Sequence, residues 1–151
     1  MNMHVFCTYC SFPKNEDPGE IPAIHRYQSS RIRKVLGAAT QLGMGFFILS
    51  GKFGLTPPER PIPYYDHLLR PEEVSALADL VSRQLRDQGV LGVVYYTRPL
   101  QSSVDLIPYH DVIVIACARQ LIRCHVIELE DDTMNTWRTL MEAADKAKVT
   151  M

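Results

Sequence analysis

The segment Met3–Tyr9, with the sequence Met-His-Val-Phe-Cys-Thr-Tyr, is a compact apolar run of β-branched and aromatic residues that predicts a first, buried strand. The run Gly45–Ser50, Gly-Phe-Phe-Ile-Leu-Ser, predicts a second one. A strand that is apolar on both alternating faces belongs inside a parallel sheet covered on both sides. We therefore expect the strands at Val5, Ile48 and Ile113 to be interior strands.

Further elements extend this pattern along the chain. Apolar segments predict strands over residues 90–96, 111–116 and 125–129. Helical spacing begins at Ser30, Pro71 marks the start of a second helix, and Asp131 or Asp132 is expected to cap a last helix with Trp137 in the core. Alternating strands and helices over all 151 residues predict a single α/β domain. We expect a three-layer, Rossmann-like domain with a mostly parallel sheet of about five strands and helices on both faces.

The connection between the fourth and fifth predicted strands is short. Only about ten residues separate their centres, whereas a parallel crossover needs a dozen or so. The two strands therefore form either an antiparallel hairpin or a connection through one short helical turn at residues 119–123. Residues 11–24 and 51–63 are rich in glycine and proline and are predicted to be loops.

Composition narrows the class of protein. An apolar fraction of 46% with 22% charged residues is ordinary for a globular chain. A formal net charge of −1 argues against strong nonspecific binding to nucleic acid, although it permits a local basic patch. Since no stretch reaches the roughly 18 to 20 apolar residues that cross a bilayer, and no basic and apolar leader opens the chain, we expect a cytoplasmic protein without a membrane partner.

The cysteines Cys7, Cys10, Cys117 and Cys124 are expected to be buried free thiols, because disulfides are rare in a reducing compartment. Cys7 and Cys10 have the spacing of a redox or zinc half-site. Residues three apart in a strand point to opposite faces, however, so the pair cannot hold one ion. No metal and no cofactor is predicted.

Polar residues are expected to gather where strands end. In open parallel sheets, ligands bind beyond the carboxyl ends of the strands, where residues 10–14, 50–53, 97–98 and 117–120 are predicted to emerge. There, Ser29 and Ser30 at a helix N-terminus beside Arg31 can receive an anion. The alternative is that one serine only caps the helix.

Lys52 follows Ser50 and Gly51 in an arrangement that superficially matches a Walker phosphate loop. That motif requires glycine at position 46 and serine or threonine at position 53, where this chain has phenylalanines. Lys52 can still hold a phosphate or carboxylate as a point charge, or it is a solvated surface lysine.

The loop Tyr64-Tyr65-Asp66-His67 combines aromatic faces, a carboxylate and an imidazole. An aspartate can stabilise a developing oxocarbenium ion or activate a water, and a tyrosine can stack on a base. Alternatively, Asp66 only accepts local backbone hydrogen bonds and His67 faces solvent. We expect residues 30, 52, 65 and 66 to converge around one concavity.

Three segments resemble a known family: Tyr-Gln-Ser-Ser-Arg at residues 27–31, Phe-Ile-Leu-Ser-Gly-Lys-Phe-Gly-Leu at 47–55, and Ile-Pro-Tyr-Tyr-Asp at 62–66. They resemble an uncharacterised bacterial and phage domain family with Tyr-x-Ser-Ser, Leu-Ser-Ala-Lys-Tyr-Gly-Leu and Tyr-Asp motifs. More remotely, they are similar to the YaaA peroxide-stress family. The resemblance implies a Rossmann-like fold, with these loops on one edge, and a link to nucleic acid or nucleobase metabolism.

The chain departs from that family in two places. Where relatives have Ser-Cys followed by Ser-Lys, only Cys10 and Lys14 correspond. The helix that relatives place between strands four and five is expected to be cut short.

Two functions follow as hypotheses. The first is an N-glycosidase or base-exchange enzyme that acts on a small-molecule nucleotide or nucleobase, with Asp66 and Tyr65 as catalytic residues. Its substrate-binding residues are predicted to be Tyr27, Ser29, Ser30, Arg31, Ser50, Lys52, Phe53, Tyr64 and His67. The second is a noncatalytic module that binds nucleotide or nucleic acid through a basic patch of Arg26, Arg31, Arg33 and Lys34. A deep, narrow pocket containing Asp66 would favour the enzyme, and a shallow basic groove would favour the binding module.

Overall fold

The computed structural model describes residues 3–130 and 133–150 and shows a mixed α/β fold. The strands are β1 (Met3–Tyr9), β2 (Ile21–Pro22), β3 (Gly45–Ser50), β4 (Gly54–Thr56), β5 (Pro61–Ile62), β6 (Val90–Thr97) and β7 (Arg123–Glu128). The helices are α1 (Ala23–Arg26), α2 (Ser30–Gln41), α3 (Val74–Asp87), α4 (Ile107–Arg119) and α5 (Thr133–Thr150).

A five-stranded sheet with the order β4-β3-β1-β6-β7 organises the fold. β1 pairs in parallel with β3 and β6, and β6 pairs in parallel with β7, so only β4 runs antiparallel. The expected mostly parallel sheet is confirmed. Val5 and Ile48 are fully buried in interior strands, as their apolar segments predicted. Around the sheet, α2 packs against α5 and α3 packs against α4.

The strand predicted at residues 111–116 is wrong, because these residues belong to α4. The β-branched run suggested a strand, but Val112, Ile113, Ala116 and Cys117 recur at helical spacing and form the buried face. Burial against α3 and the sheet outweighs the weak β preference of such residues.

The prediction for the connection into β7 is also wrong, because α4 lies between β6 and β7. α4 has 13 residues and makes a full crossover between the parallel strands β6 and β7. Neither the antiparallel hairpin nor the short helical turn at residues 119–123 is present, and the expected shortening of this helix is wrong.

The predicted loops also contain short ordered pieces. β2 and β5 pair with each other and tie residues 11–24 to residues 57–63. β4 lies at one edge of the large sheet, within a segment predicted to be loop. Its outer side is occupied by Gln84 of α3, whose Oε1 accepts from the Leu55 backbone N–H at 2.7 Å and whose Nε2 donates to the carbonyls of Phe53 and Leu55.

The last helix is present as Thr133–Thr150. Its expected cap at Asp131 or Asp132 and the side chain of Trp137 lie outside the described residues. Within the described ranges, no helix is both long and apolar enough to span a membrane.

Replacement of Gln84 tests the protection of the sheet edge. Gln84→Ala leaves buried backbone groups of β4 without their partner, which is expected to reduce the free energy of unfolding by about 1 to 3 kcal/mol. Urea unfolding measures the loss. Arg83→Ala, at the exposed neighbouring position, is the matched control, and equal stability of the two variants would contradict this role.

Candidate functional site

The order in which successive strands join the sheet reverses between the neighbouring strands β1 and β6. From β1 the chain crosses to β3 on one side, whereas from β6 it crosses to β7 on the other. Ligands of open parallel sheets bind at such a reversal, beyond the carboxyl ends of the strands. A cavity of about 430 Å³ opens there, within the range of roughly 300 to 1,000 Å³ that small-molecule sites occupy.

Segments that follow both strands build the cavity. Tyr9 at the end of β1 is followed by Cys10 and residues 11–14, and after β6 come Arg98, residues 102–103 and residues 105–106. Residues 28–31 at the start of α2 and residues 66–68 close the sides. The predicted contribution of residues 117–120 is wrong, because these residues end α4 and lead into the opposite, amino end of β7.

Arg26 holds in place the segment after β1 that lines the cavity. Its side chain is fully buried and its guanidinium donates to the backbone carbonyls of Asn15 (2.6 Å), Asp17 (2.8 Å), Gly19 (2.5 Å) and Ile62 (3.1 Å). One arginine therefore folds the loop after β1 against β5. Four charge-assisted hydrogen bonds of this kind fix the backbone that carries residues 11–14.

Arg31 lies beneath the cavity and is only 6% exposed. It donates to the Thr8 hydroxyl, to the Tyr9 carbonyl (2.8 Å) and to the Cys10 carbonyl (3.3 Å), and it stacks 3.5 Å from the centroid of the Tyr9 ring. Burial lowers the pKa of this guanidinium below its usual range. Because Arg26 and Arg31 are both buried, the basic surface patch predicted for residues 26, 31, 33 and 34 does not form.

The start of α2 contributes two serines to the cavity. Ser29 is the N-cap, and its Oγ accepts from the Ile32 backbone N–H at 3.3 Å, which is the capping role considered as the alternative. Ser30 is exposed at the cavity edge.

The hydroxyl groups of Tyr27, Ser50 and Tyr65 form a buried chain. Tyr65 Oη contacts Tyr27 Oη and lies 2.8 Å from Ser50 Oγ. Ser50 Oγ also accepts from the backbone N–H groups of residues 52 and 53, and the Phe53 ring packs 5.3 Å from the Tyr65 ring centroid. Because its hydroxyl is occupied in this way, Tyr65 anchors the loop that carries Asp66 to the end of β3.

Asp66 and His67 stand between two cavities. Both residues line the cavity at β1 and β6 together with Ser30, and both also line a neighbouring cavity with Lys52, Tyr64 and Tyr65. Residues 30, 52, 65 and 66 were expected to surround one concavity, and this is wrong: Ser30 lines the first cavity, Lys52 and Tyr65 line the second, and only Asp66 lines both. His67 Nε2 lies 2.9 Å from a carboxylate oxygen of Glu73.

Tyr109 is a cavity residue that the sequence did not single out. Its hydroxyl accepts from the Leu69 backbone N–H at 3.2 Å and lies 3.8 Å from Cys10 Sγ, so it connects the Asp66 loop to the end of β1. A side chain at Gly51 would meet this hydroxyl at 3.0 Å. Pro108 was the sequence signal for the helix that carries Tyr109, since proline favours the first turn of a helix.

The four cysteines are free thiols, and three of them are buried. Only Cys10 lines the main cavity. Burial raises the pKa of the Cys7 thiol. Among the described residues, no group of histidine, cysteine and acidic side chains is placed to hold a metal ion.

The buried tyrosines predict a loss of stability at high pH. Burial is the main cause that raises the pKa of Tyr27, Tyr65, Tyr95 and Tyr109. Unfolded tyrosines ionise near pH 10, so the stability from these neutral phenols is complete below about pH 10 and is lost as the pH rises further. Tyrosinate absorbance should then appear together with the loss of tertiary circular dichroism. Ionisation of every tyrosine in a protein that stays folded would contradict this expectation.

Removal of one hydroxyl tests the buried chain. Tyr65→Phe deprives Ser50 and Tyr27 of their shared partner and should lower the free energy of unfolding by about 1 to 3 kcal/mol. Tyr64→Phe is the control, because that neighbouring tyrosine is 45% exposed and its change should stay within about 0.5 kcal/mol. Chemical denaturation compares the two. Indistinguishable variants would show that the chain contributes nothing.

Comparisons with known proteins supply no family for this geometry. A scan against protein-family models, a search of curated proteins and a search of solved structures each found no match. The function of the cavity is therefore inferred from its own residues.

Proposed function

We propose that the cavity binds a nucleotide or nucleobase and that the protein is an N-glycosidase or base-exchange enzyme with Asp66 as its catalytic carboxylate. The observation that carries the proposal is the composition of the cavity, which combines the Asp66 carboxylate with aromatic rings and cationic side chains at the reversal of strand order. Phe12 is 63% exposed at the cavity wall and offers a face on which a base can stack.

The proposed reaction breaks the bond between C1′ of the sugar and a nitrogen of the base. The base leaves with the bonding electrons, and positive charge develops on the sugar as an oxocarbenium ion. A carboxylate at Asp66 stabilises that charge and accepts a proton from the attacking water. Water delivers hydroxide to C1′, and the proton that Asp66 accepted passes to the departing base, which restores the carboxylate; in base exchange, a second base takes the place of water and its proton follows the same route.

The remaining residues have supporting parts in this proposal. Tyr65, Tyr27 and Ser50 position the Asp66 loop through their hydroxyl chain, so Tyr65 acts as a positioning residue. Lys52 lines the adjoining cavity and does not line the main one. His67 is held by Glu73 at the boundary between the two.

We also propose a three-layer, Rossmann-like arrangement, with α2 and α5 on one face of the sheet and α3 and α4 on the other. The pairing of the helices supports it, since each pair packs together and against the sheet. Relationship to the YaaA-like family and a cytoplasmic location remain predictions from the sequence.

A noncatalytic nucleotide-binding module is the second candidate. Two observations favour it: Asp66 is exposed, and the accessible groups Phe12 and Arg98 both line the cavity. Such a module would use stacking and charge at the same cavity without turnover.

Substitution of the carboxylate separates the two candidates. Asp66→Asn should lower the release of free base at least about 100-fold while the protein stays folded, because it removes a group that stabilises the transition state. Chromatography of a panel of nucleosides, nucleotides and bases after incubation measures turnover. Asp105→Asn changes another carboxylate of the same cavity and should retain activity. Binding without released base would favour the module, and loss of activity only in Asp105→Asn would contradict the assignment of Asp66.

A further inference from the structure

Three cationic side chains line the main cavity, and none forms an ion pair with a carboxylate among the described residues. They are Lys14, Arg31 and Arg98. Elsewhere on the surface, Arg86 and Arg119 do pair with aspartates. The cavity therefore collects three positive charges that form no ion pair within the described part of the chain, and its two carboxylates balance only part of them.

Arg31 is the cation with the greatest need of an anionic partner, because it is buried. A buried guanidinium loses the hydration that water would give its charge, and the dipoles of the carbonyls at the end of β1 offset only part of that loss. Three hydrogen bonds account for part of its five N–H groups, and the side chain lines the cavity floor. An anion in the cavity would supply the missing counter-charge at short range and low dielectric.

Lys14 is held in place by aromatic faces. Its Nζ lies 4.9 Å from the centroid of the Tyr65 ring and 5.9 Å from those of Phe12 and Tyr27. Cation–π contacts orient the ammonium group without using its N–H donors, which stay available for a ligand. Arg98 is exposed and approaches the cavity from the end of β6.

These cations outnumber the carboxylates of the same cavity, Asp66 and Asp105. A neutral nucleoside or free base would leave the excess charge uncompensated. A phosphate monoester carries about 1.5 to 2 negative charges at neutral pH and has oxygens that accept several charge-assisted hydrogen bonds.

We propose that the cavity contains a phosphate subsite formed by Lys14, Arg31 and Arg98, so that its ligand is a nucleoside monophosphate and not a nucleoside or a free base. The nucleoside part of this inference rests on the proposed function, whereas the phosphate part rests on the three cations alone. Sugar and base would then occupy the rest of the cavity, which Asp66 and the exposed ring of Phe12 also line.

Binding of defined probes tests the subsite. Isothermal calorimetry and thermal shift are measured with inorganic phosphate, with the monophosphates of adenosine, guanosine, cytidine and uridine, and with the four unphosphorylated nucleosides. Lys14→Gln and Arg98→Gln should each weaken monophosphate binding about tenfold or more, because each removes charged hydrogen-bond donors, while nucleoside binding changes little. Arg33→Gln is the control, since Arg33 is exposed on α2 but does not line the cavity.

The dependence on pH gives a second measurement that does not rely on variants. The second ionisation of a phosphate monoester has a pKa near 6, so affinity should rise between about pH 5 and pH 7 as the dianion forms. A nucleoside should show no such rise over the same interval.

The outcomes separate this proposal from the proposed function. Cation-dependent binding of phosphate and monophosphates without base release would support the subsite and overturn the glycosidase. If nucleosides and monophosphates bind with equal affinity and both release free base, the glycosidase is supported and the subsite is overturned. Unchanged monophosphate binding in both Lys14→Gln and Arg98→Gln would also overturn it, and Arg98→Gln keeps this test decisive because the exposed Arg98 side chain is not needed for the core.

Discussion

The guanidinium of Arg31, buried at the carboxyl end of β1, is the interaction on which the site depends. By donating to the Thr8 hydroxyl and to the carbonyls of Tyr9 and Cys10, it fixes the start of α2 against the end of the central strand. The same contacts place a positive charge under the cavity between β1 and β6. Fold and electrostatics therefore have a common origin, because the group that completes the strand end also determines which ligands the cavity attracts.

Two further buried polar groups fix the loops that line the cavity above Arg31. Arg26 gathers backbone carbonyls of the loop after β1, and the Tyr65 hydroxyl joins the Asp66 loop to Ser50 at the end of β3. Both loops are long, and such segments need specific anchors to hold one conformation. A site with walls anchored before binding loses less entropy when a ligand arrives.

The sequence predicted the elements whose pattern has a single interpretation. β1 and β3 were predicted to the residue because both faces of each are apolar, and the start of α2 at Ser30 was predicted because its apolar stripe has helical spacing. α4 was missed because a run of valine and isoleucine fits a strand as well as a buried helix, and only packing against α3 decides between them. Because α4 was not predicted, its residue Tyr109 was not recognised as part of the cavity.

The site was predicted as a region and not as a set of contacts. Asp66 and Ser30 do line one cavity, but Tyr65 and Ser50 face each other and Arg31 faces carbonyls. Sequence seldom indicates a buried arginine, since arginines are mostly exposed and the carbonyls that hold one carry no residue signature. Amide chemical-shift mapping by NMR, during titration with adenosine and cytidine monophosphates, tests the location of the site most directly. Shifts concentrated at residues 9–14, 28–31, 66–68 and 98–106 are predicted, and shifts confined to α3, β7 or the surface around Lys52 would contradict it.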